Sequence, residues 1–399
     1  MNINDLSTGL KNMVFDTPYK FGHYYAGDLK SFSKLEAFEW SKRFGTKFGW
    51  NFNEEFYDTI DWKKEPLEPL EELYKNRCVQ IRNNYDYVVL WYSGGADSSN
   101  ILDYWLKNNI KLDEIAIYWN YDTTKNANNI VNAEIFNVVL PKIKQLQKQG
   151  YDFKINLINY PDYLNETLNF LKNNTEYYLN RFTAINAPIR HLLRHFVKDW
   201  KKIIDSGKKM VFVYGYDKPM IGYENNKHYV VFQDGCSNSY YNQYFYKHGW
   251  FEEYFYWTPD YYKILLKQSH EILKFIKSCH HPMFYIRHPY KKEGYYGFGY
   301  NSKLNMYLSE KSAKKIIYPT WNDETFSIGK SWFNSTFSKR DLWFTENNNK
   351  EVSLYNAISH DLLSKYSLDK KNLSNSLLPC FSKKYYLDRK STRLNSSHT

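Results

Sequence analysis

The stretch that decides the fold is Val89-Leu90-Trp91-Tyr92-Ser93-Gly94-Gly95-Ala96-Asp97-Ser98, followed at once by Ser99-Asn100-Ile101-Leu102-Asp103-Tyr104-Trp105-Leu106. It reads as a buried strand, a Ser/Gly turn and an amphipathic helix in direct succession. A helix start leaves its first N–H groups unpaired and carries partial positive charge, so a turn placed there is an anion site. Gly94 and Gly95 let the backbone approach phosphate oxygens closely. The hydroxyls of Ser93 and Ser98 can donate to the same oxygens, with Tyr92 beside them, and the Asp97 carboxylate suits a bridging Mg²⁺ rather than phosphate itself. Ser-Gly-Gly alone is also an ordinary turn, and Asp97-Ser98 an ordinary cap. A turn needs neither the apolar strand before it nor the helix after it, so the constellation points to a nucleotide polyphosphate with magnesium.

Ser93 to Ser98 match the pattern Ser-Gly-Gly-x-Asp-Ser at every specified position. The segment resembles the PP-loop of the N-type ATP pyrophosphatases, the adenine nucleotide alpha hydrolase-like superfamily. It includes asparagine, NAD and GMP synthetases, tRNA-lysidine synthetase, tRNA thiolases, 7-cyano-7-deazaguanine synthase and, more distantly, phosphoadenylylsulfate reductases. The resemblance implies ATP and Mg²⁺ as cofactors, cleavage to AMP and pyrophosphate, and an adenylated acceptor. The favoured reading is an adenylating enzyme that activates a small-molecule acceptor for carbon–nitrogen bond formation, as asparagine synthetases do. Three alternatives stay open: sulfur transfer of the sulfonucleotide-reductase kind, a tRNA-modifying PP-loop enzyme, and a non-catalytic nucleotide-binding module. Over Pro66 to Asp122 the chain also resembles bacteriophage proteins described only as asparagine-synthase-like or sulfonucleotide-reductase-like, which would place it in a host cytoplasm. A Walker-type loop is excluded: Gly329-Lys330-Ser331 looks like its end, but its earlier glycine would fall at Glu324.

From Pro66 onward the pattern alternates helix and strand. A helix is expected over Pro66–Arg82, with Leu67, Leu70, Leu73, Tyr74 and Val79 at spacings near three and four. Strands are expected at Tyr87–Leu90, Leu112–Trp119, Phe153–Ile158 and Met210–Tyr214, and helices at Asn132–Gln149, Tyr163–Leu171 and Ile189–Ile204. Such alternation predicts an α/β fold, a doubly wound, mostly parallel sheet with helices on both faces and ligands at the strands' C-terminal ends. Asn120 follows the second strand, and Gly215, Asp217 and Lys218 follow the fourth. Asp217 suits a metal and Lys218 a phosphate, although Gly-Tyr-Asp-Lys-Pro is equally an ordinary turn.

The expected organisation is an N-terminal extension over 1–65, a nucleotide-binding domain over 66–235 and an irregular α+β, substrate-facing subdomain over 236–387. Within the last, Thr258 and Pro259 mark a helix start opening the run Tyr261–Lys277. Residues 388–399 change character abruptly and resemble translated adapter sequence, so they are expected to be a non-native tail.

The formal charge of +11 invites a nucleic-acid partner, and tRNA stays open as one. Lysine far outnumbers arginine among the 54 basic residues, however, and Asn, Tyr, Ile and Phe are abundant too, as AT-rich coding would produce. The four cysteines, Cys78, Cys236, Cys279 and Cys380, form no Cys-x-x-Cys pair, which argues against a disulfide framework, a zinc ribbon and paired-thiol sulfur chemistry. No apolar run of ~20 residues could span a bilayer, so no membrane and a cytoplasmic location are expected. Arg190, His191, Arg194 and His195 pair at i, i+4 on one expected helix, where the arginines suit phosphate better than the histidines suit zinc. Cys279-His280-His281 with His288 is a weaker metal candidate. Asn2 stands where glutamine-dependent asparagine synthetases carry their nucleophilic cysteine, so ammonia, if used, would come free or from another protein, and a separate ammonia or sulfur donor stays open as a partner. The expected catalytic set is Ser93, Asp97, Lys218 and Arg190.

Overall fold

The computed structural model describes residues 22–31, 34–119, 135–163, 197–215, 219–225, 227–232, 250–278, 295–296, 316–320 and 380–388. His23–Ala26 (β1) turns back through Leu29–Ser31 (β2), and Phe48–Asn51 (β3) pairs antiparallel with the other side of β1. Helix Lys34–Phe44 (α1) covers this small sheet, seating Trp40 against Ala26 and Leu29. The sequence reading finds only aromatic clusters in this region. Those aromatics prove to be core: Trp50 stacks on Phe52 at 5.0 Å between ring centres, and Phe52 meets Phe232 at 4.6 Å. A single turn, Glu54–Tyr57 (α2), follows.

Helix Leu70–Asn84 (α3) starts after Pro69 and buries Leu73, Tyr74, Arg77, Cys78 and Ile81, the three–four spacing of one face. The chain then runs through Tyr87–Trp91 (β4), Ala96–Lys107 (α4), Glu114–Trp119 (β5), Leu140–Lys148 (α5) and Lys154–Asn159 (β6). The single helix expected over Asn132–Gln149 is divided: Ile135–Val139 is π-helical and leads into α5. Pro141 explains the change. It has no N–H to donate one turn back and its ring crowds that carbonyl, so a regular ladder cannot pass through it.

Lys198–Asp205 (α6) and Met210–Tyr214 (β7) come next, the strand with the bounds that the apolar run predicts. Tyr160–Tyr163 is a 3₁₀ turn, and the rest of the helix expected at Tyr163–Leu171 and the first part of Ile189–Ile204 lie outside the described residues. Met220–Glu224 (β8) and Lys227–Val231 (β9) form a hairpin that turns at Asn225, whose φ is 47°. Trp250–Tyr254 (β10) precedes Lys263–Ser278 (α7), and Tyr295–Tyr296 (β11) and Tyr385–Tyr386 (β12) extend the hairpin into a four-stranded sheet, β11-β8-β9-β12. The start of α7 follows the expected punctuation: Pro259–Tyr261 is a 3₁₀ turn capped by Thr258, whose Oγ1 accepts from the Asp260 N–H at 3.3 Å.

The main sheet is five-stranded and all-parallel, in the order β10-β7-β4-β5-β6. From β4 the chain builds outward to β5 and β6, then returns to the opposite side of β4 for β7 and β10. Strand β10 comes from beyond residue 236, where the alternation fades to the eye. Two adjacent glutamates hide it, and tertiary partners accommodate both. Buried Glu253 pairs with Arg77 at 2.8 Å and accepts from the Tyr85 hydroxyl at 2.6 Å, while Glu252 accepts from Tyr214 at 3.2 Å.

Alternate residues of the central strands face two layers. Val88, Leu90, Ile115, Ile117, Val211 and Val213 join the main core with Ile101, Leu102 and Trp105 of α4. Trp91 and Phe212 face the other way and meet Trp200 of α6 edge-on at 5.7 and 4.8 Å. Beneath them the fully buried Glu114 carboxylate accepts from Trp200 Nε1 at 2.7 Å, Asn156 Nδ2 at 2.9 Å and the Tyr87 hydroxyl at 2.8 Å. Asp388, assigned to the tail from sequence, is tied into the fold: it accepts from the backbone N–H of His228 and pairs with Lys277 at 2.6 Å.

Trp200→Phe keeps an aromatic ring but removes one of the three donors to Glu114. A loss of about 1–3 kcal/mol is expected for a buried carboxylate deprived of a partner. Urea denaturation should show a lower midpoint at an unchanged slope.

Candidate functional site

Strand β4 delivers the Ser/Gly turn to the C-terminal edge of the sheet. Tyr92 N–H still pairs with Ala116 O of β5 at 2.9 Å, and Ser93 is the first exposed residue after the strand. Gly94 takes φ 75°, a left-handed conformation, and a Cβ there would stand 2.8 Å from Val139 Cγ2. Glycine is therefore demanded twice, by backbone and by space. Gly95 caps α4 with φ −72° and ψ 163°, and a Cβ there would meet only Ser93 Oγ, at 3.3 Å.

Serine hydroxyls tie the turn together. Ser93 N–H donates to Ser98 Oγ at 3.2 Å, Ser98 Oγ donates to Gly95 O at 3.2 Å, and Gly95 N–H donates to Ser93 Oγ at 3.3 Å. Ser98 is thus buried and braces the loop, whereas Ser93 faces solvent. The long distances of these bonds mark them as weak and exchangeable for a stronger acceptor.

Asp97, half-buried in the first turn of α4, is gripped at two points. Its Oδ1 accepts from the Tyr318 hydroxyl at 2.5 Å, and its backbone carbonyl accepts from the Tyr256 hydroxyl at 2.8 Å. Tyr256 in turn accepts from Asn100 Nδ2 at 3.0 Å, and its ring lies 5.4 Å from that of Tyr318. Tyr74 donates to Ile317 O and accepts from Gln268 Nε2 at 2.9 Å. Burial, followed by neighbouring negative charge, holds the Tyr318 hydroxyl well above its ordinary pKa, and burial dominates at Tyr256 and Tyr74 also. All three remain protonated donors at neutral pH. Tyr318 is the residue that sequence reasoning misses: it stands 221 positions from Asp97, inside an apolar run that carries no local signal.

The neighbouring strand closes against the same turn. A Cβ on Gly215, just past β7, would stand 2.9 Å from Asp97 Cβ and 3.0 Å from Ser98 N, so the ends of β4 and β7 meet where the sequence expects them to. Of the other expected residues, Asn120, Arg190, Asp217 and Lys218 lie outside the described residues, as do His191, Arg194, His195, Cys236, Cys279, His280, His281 and His288. Cys78 is fully buried, and burial pushes its thiol well above the ordinary range, which leaves it a core residue rather than a nucleophile. Cys380 is half-buried.

The donor set fits a nucleotide phosphate with magnesium. Mg²⁺ retains waters and takes one or two carboxylates together with substrate phosphates, so a single Asp97 beside a helix start suffices. Among the described residues no group of three His, Cys, Asp or Glu side chains is placed to hold a metal. Cavities of about 300 and 390 Å³ lie elsewhere, around Trp62, Lys63 and Asp388, and include none of residues 92–98. Among the described residues no helix is long and apolar enough to cross a membrane. No protein-family model and no curated protein matches the chain.

The two glycines should respond differently to a methyl group. Gly94→Ala is expected to cost about 2 kcal/mol or more, from the left-handed backbone and the overlap with Val139. Gly95→Ala should cost less than about 1 kcal/mol, since its backbone is extended and its surroundings open. Chemical denaturation of both variants measures the difference.

Proposed function

We propose that the chain is an ATP-dependent adenylating enzyme that cleaves ATP to AMP and pyrophosphate and activates an acceptor for carbon–nitrogen bond formation. One observation carries this reading: a Ser-Gly-Gly-x-Asp-Ser turn joins the central strand of a parallel sheet to a 12-residue helix, beside the point where the strand order reverses. That is the crevice in which open α/β sheets bind ligands. The strand order and the two covered faces also support the doubly wound reading.

In this proposal an acceptor carboxylate attacks the α-phosphorus, the bond to the bridging oxygen breaks and pyrophosphate leaves. An amine or ammonia then attacks the acyl carbon and displaces AMP. The chain's work is positioning and charge stabilisation. The amides of the turn and the exposed Ser93 hydroxyl face the phosphates. Gly94, Gly95 and Gly215 keep side chains out of the space between the strand ends. Mg²⁺, when bound, would offset charge on the departing pyrophosphate, with Asp97 and Asp217 to hold it. Lys218 and Arg190 are the proposed cations toward phosphate, and Asn120 and Tyr92 complete the nucleotide contacts. The acceptor is a small molecule, with tRNA the alternative, and the nitrogen comes free or from a separate donor.

Chromatography of the nucleotide products, with candidate amino acids, deazaguanine precursors and tRNA as acceptors, tests the reading. AMP and pyrophosphate are expected; ADP and phosphate as sole products would remove it. Asp97→Ala should abolish Mg²⁺-dependent turnover with the fold intact by circular dichroism, and Gly95→Val should block nucleotide binding. Full turnover by Asp97→Ala would rule out its metal role.

A further inference from the structure

We infer that Tyr318 is a positioning residue that sets the direction of the Asp97 carboxylate toward the magnesium of a bound nucleotide, so that the C-terminal part of the chain completes the phosphate site. The inference rests on the proposed role of Asp97 and goes beyond it by naming what holds that carboxylate in place.

An aspartate in the first turn of a helix has two side-chain torsions, and the second has a broad, shallow profile. Left to itself, such a carboxylate samples many directions. Here the Tyr318 hydroxyl donates to Oδ1 at 2.5 Å, the short distance of a bond to an ionised oxygen. The donor itself cannot wander. Tyr318 is completely buried, its ring packs against Tyr256, and the preceding carbonyl, Ile317 O, is held by Tyr74. Tyr74 belongs to α3 and is fixed in turn by Gln268 of α7. Tyr256, which follows β10, holds the Asp97 carbonyl, so backbone and side chain of one residue are gripped by two tyrosines from distant segments.

A phenylalanine at 318 would fill nearly the same volume without requiring a polar partner in the core. Burying a hydroxyl is costly unless it is hydrogen-bonded, and this one is directed at the carboxylate of the turn. Groups that orient a metal ligand from behind matter in a recognisable way: their removal weakens the metal about 10–100-fold while other contacts of the site survive. Tyr318 should therefore affect magnesium more than nucleotide.

The test is calorimetric titration of the full chain with a non-hydrolysable ATP analogue, first in EDTA and then across a series of Mg²⁺ concentrations. The wild-type chain should gain affinity with Mg²⁺. Tyr318→Phe should keep its metal-free affinity within about twofold and need about tenfold more Mg²⁺ for the same gain. In the Asp97→Asn background, adding Tyr318→Phe should cost no further Mg²⁺ response, because the two residues act through one contact. An unchanged Mg²⁺ midpoint in Tyr318→Phe, an equal loss with and without metal, or additive losses in the double variant would overturn the inference while leaving the phosphate loop in place. If Phe at 318 unfolds the chain by circular dichroism, Asp97→Glu gives the second measure. It carries the carboxylate one methylene past the Tyr318 hydroxyl and should weaken Mg²⁺ similarly with metal-free binding kept; an unaltered Mg²⁺ midpoint there would equally overturn it. A wild-type chain that binds the analogue with no gain from Mg²⁺ would instead remove the role proposed for Asp97, and this inference with it.

Discussion

Val88, Val89, Leu90 and Trp91 are all buried, and this constrains the rest of the molecule, because a strand with no wet face must be enclosed on every side. Its backbone groups need partners on both edges, which β5 and β7 supply. Its side chains need a layer above and another below. The layer containing α4 and the main core takes Val88 and Leu90, and Trp200 of α6 closes over Trp91. Enclosure also dictates where the strand stops. Past Tyr92, whose N–H still pairs with β5, the chain surfaces at Ser93, between the ends of two neighbouring strands. The location of the Ser/Gly turn is thus a consequence of burying the central strand.

Polar groups inside the sheet divide by position. At the start of β5, Glu114 is satisfied by three neutral donors from β4, β6 and α6, and on edge strand β10 Glu253 is held by an arginine and a tyrosine. Buried polar networks of this kind stiffen the scaffold. At the C-terminal edge the arrangement is looser. The serine bonds of the turn run at 3.2–3.3 Å, and Ser93 remains exposed. Rigid polar packing below and weak internal bonding above is what a site needs if it is to trade its own hydrogen bonds for those of a ligand.

Legibility follows the range of the forces involved. Strands Tyr87–Trp91 and Met210–Tyr214 could be read because complete burial writes an unbroken apolar run, and the loop because its geometry depends on six adjacent residues. Thr258 and Pro259 were legible for the same local reason. The strand Trp250–Tyr254 was hidden, since its two glutamates are tolerated only through Arg77, Tyr85 and Tyr214, none of them nearby in sequence. The three short N-terminal strands fell below the length at which alternation can be distinguished from chance. The π-helical turn at Ile135–Val139 is missed by an expectation of one helix over Asn132–Gln149, which takes no account of the break at Pro141.

Tyr318 marks the limit of such reading most clearly. The backbone of the Ser/Gly turn is specified within Ser93 to Ser98, and its glycines announce themselves. The one carboxylate in that turn accepts from a distant part of the chain, a hydroxyl of the segment 316–320, braced by α3 and α7. Recognition of phosphate by backbone is local chemistry, so a short motif can encode it and can recur in unrelated settings. Aiming a charged side chain inside a half-buried pocket requires a rigid donor whose own partners are satisfied, and only tertiary packing supplies that. A motif of this kind can thus be complete in sequence while a partner of its carboxylate comes from a far segment.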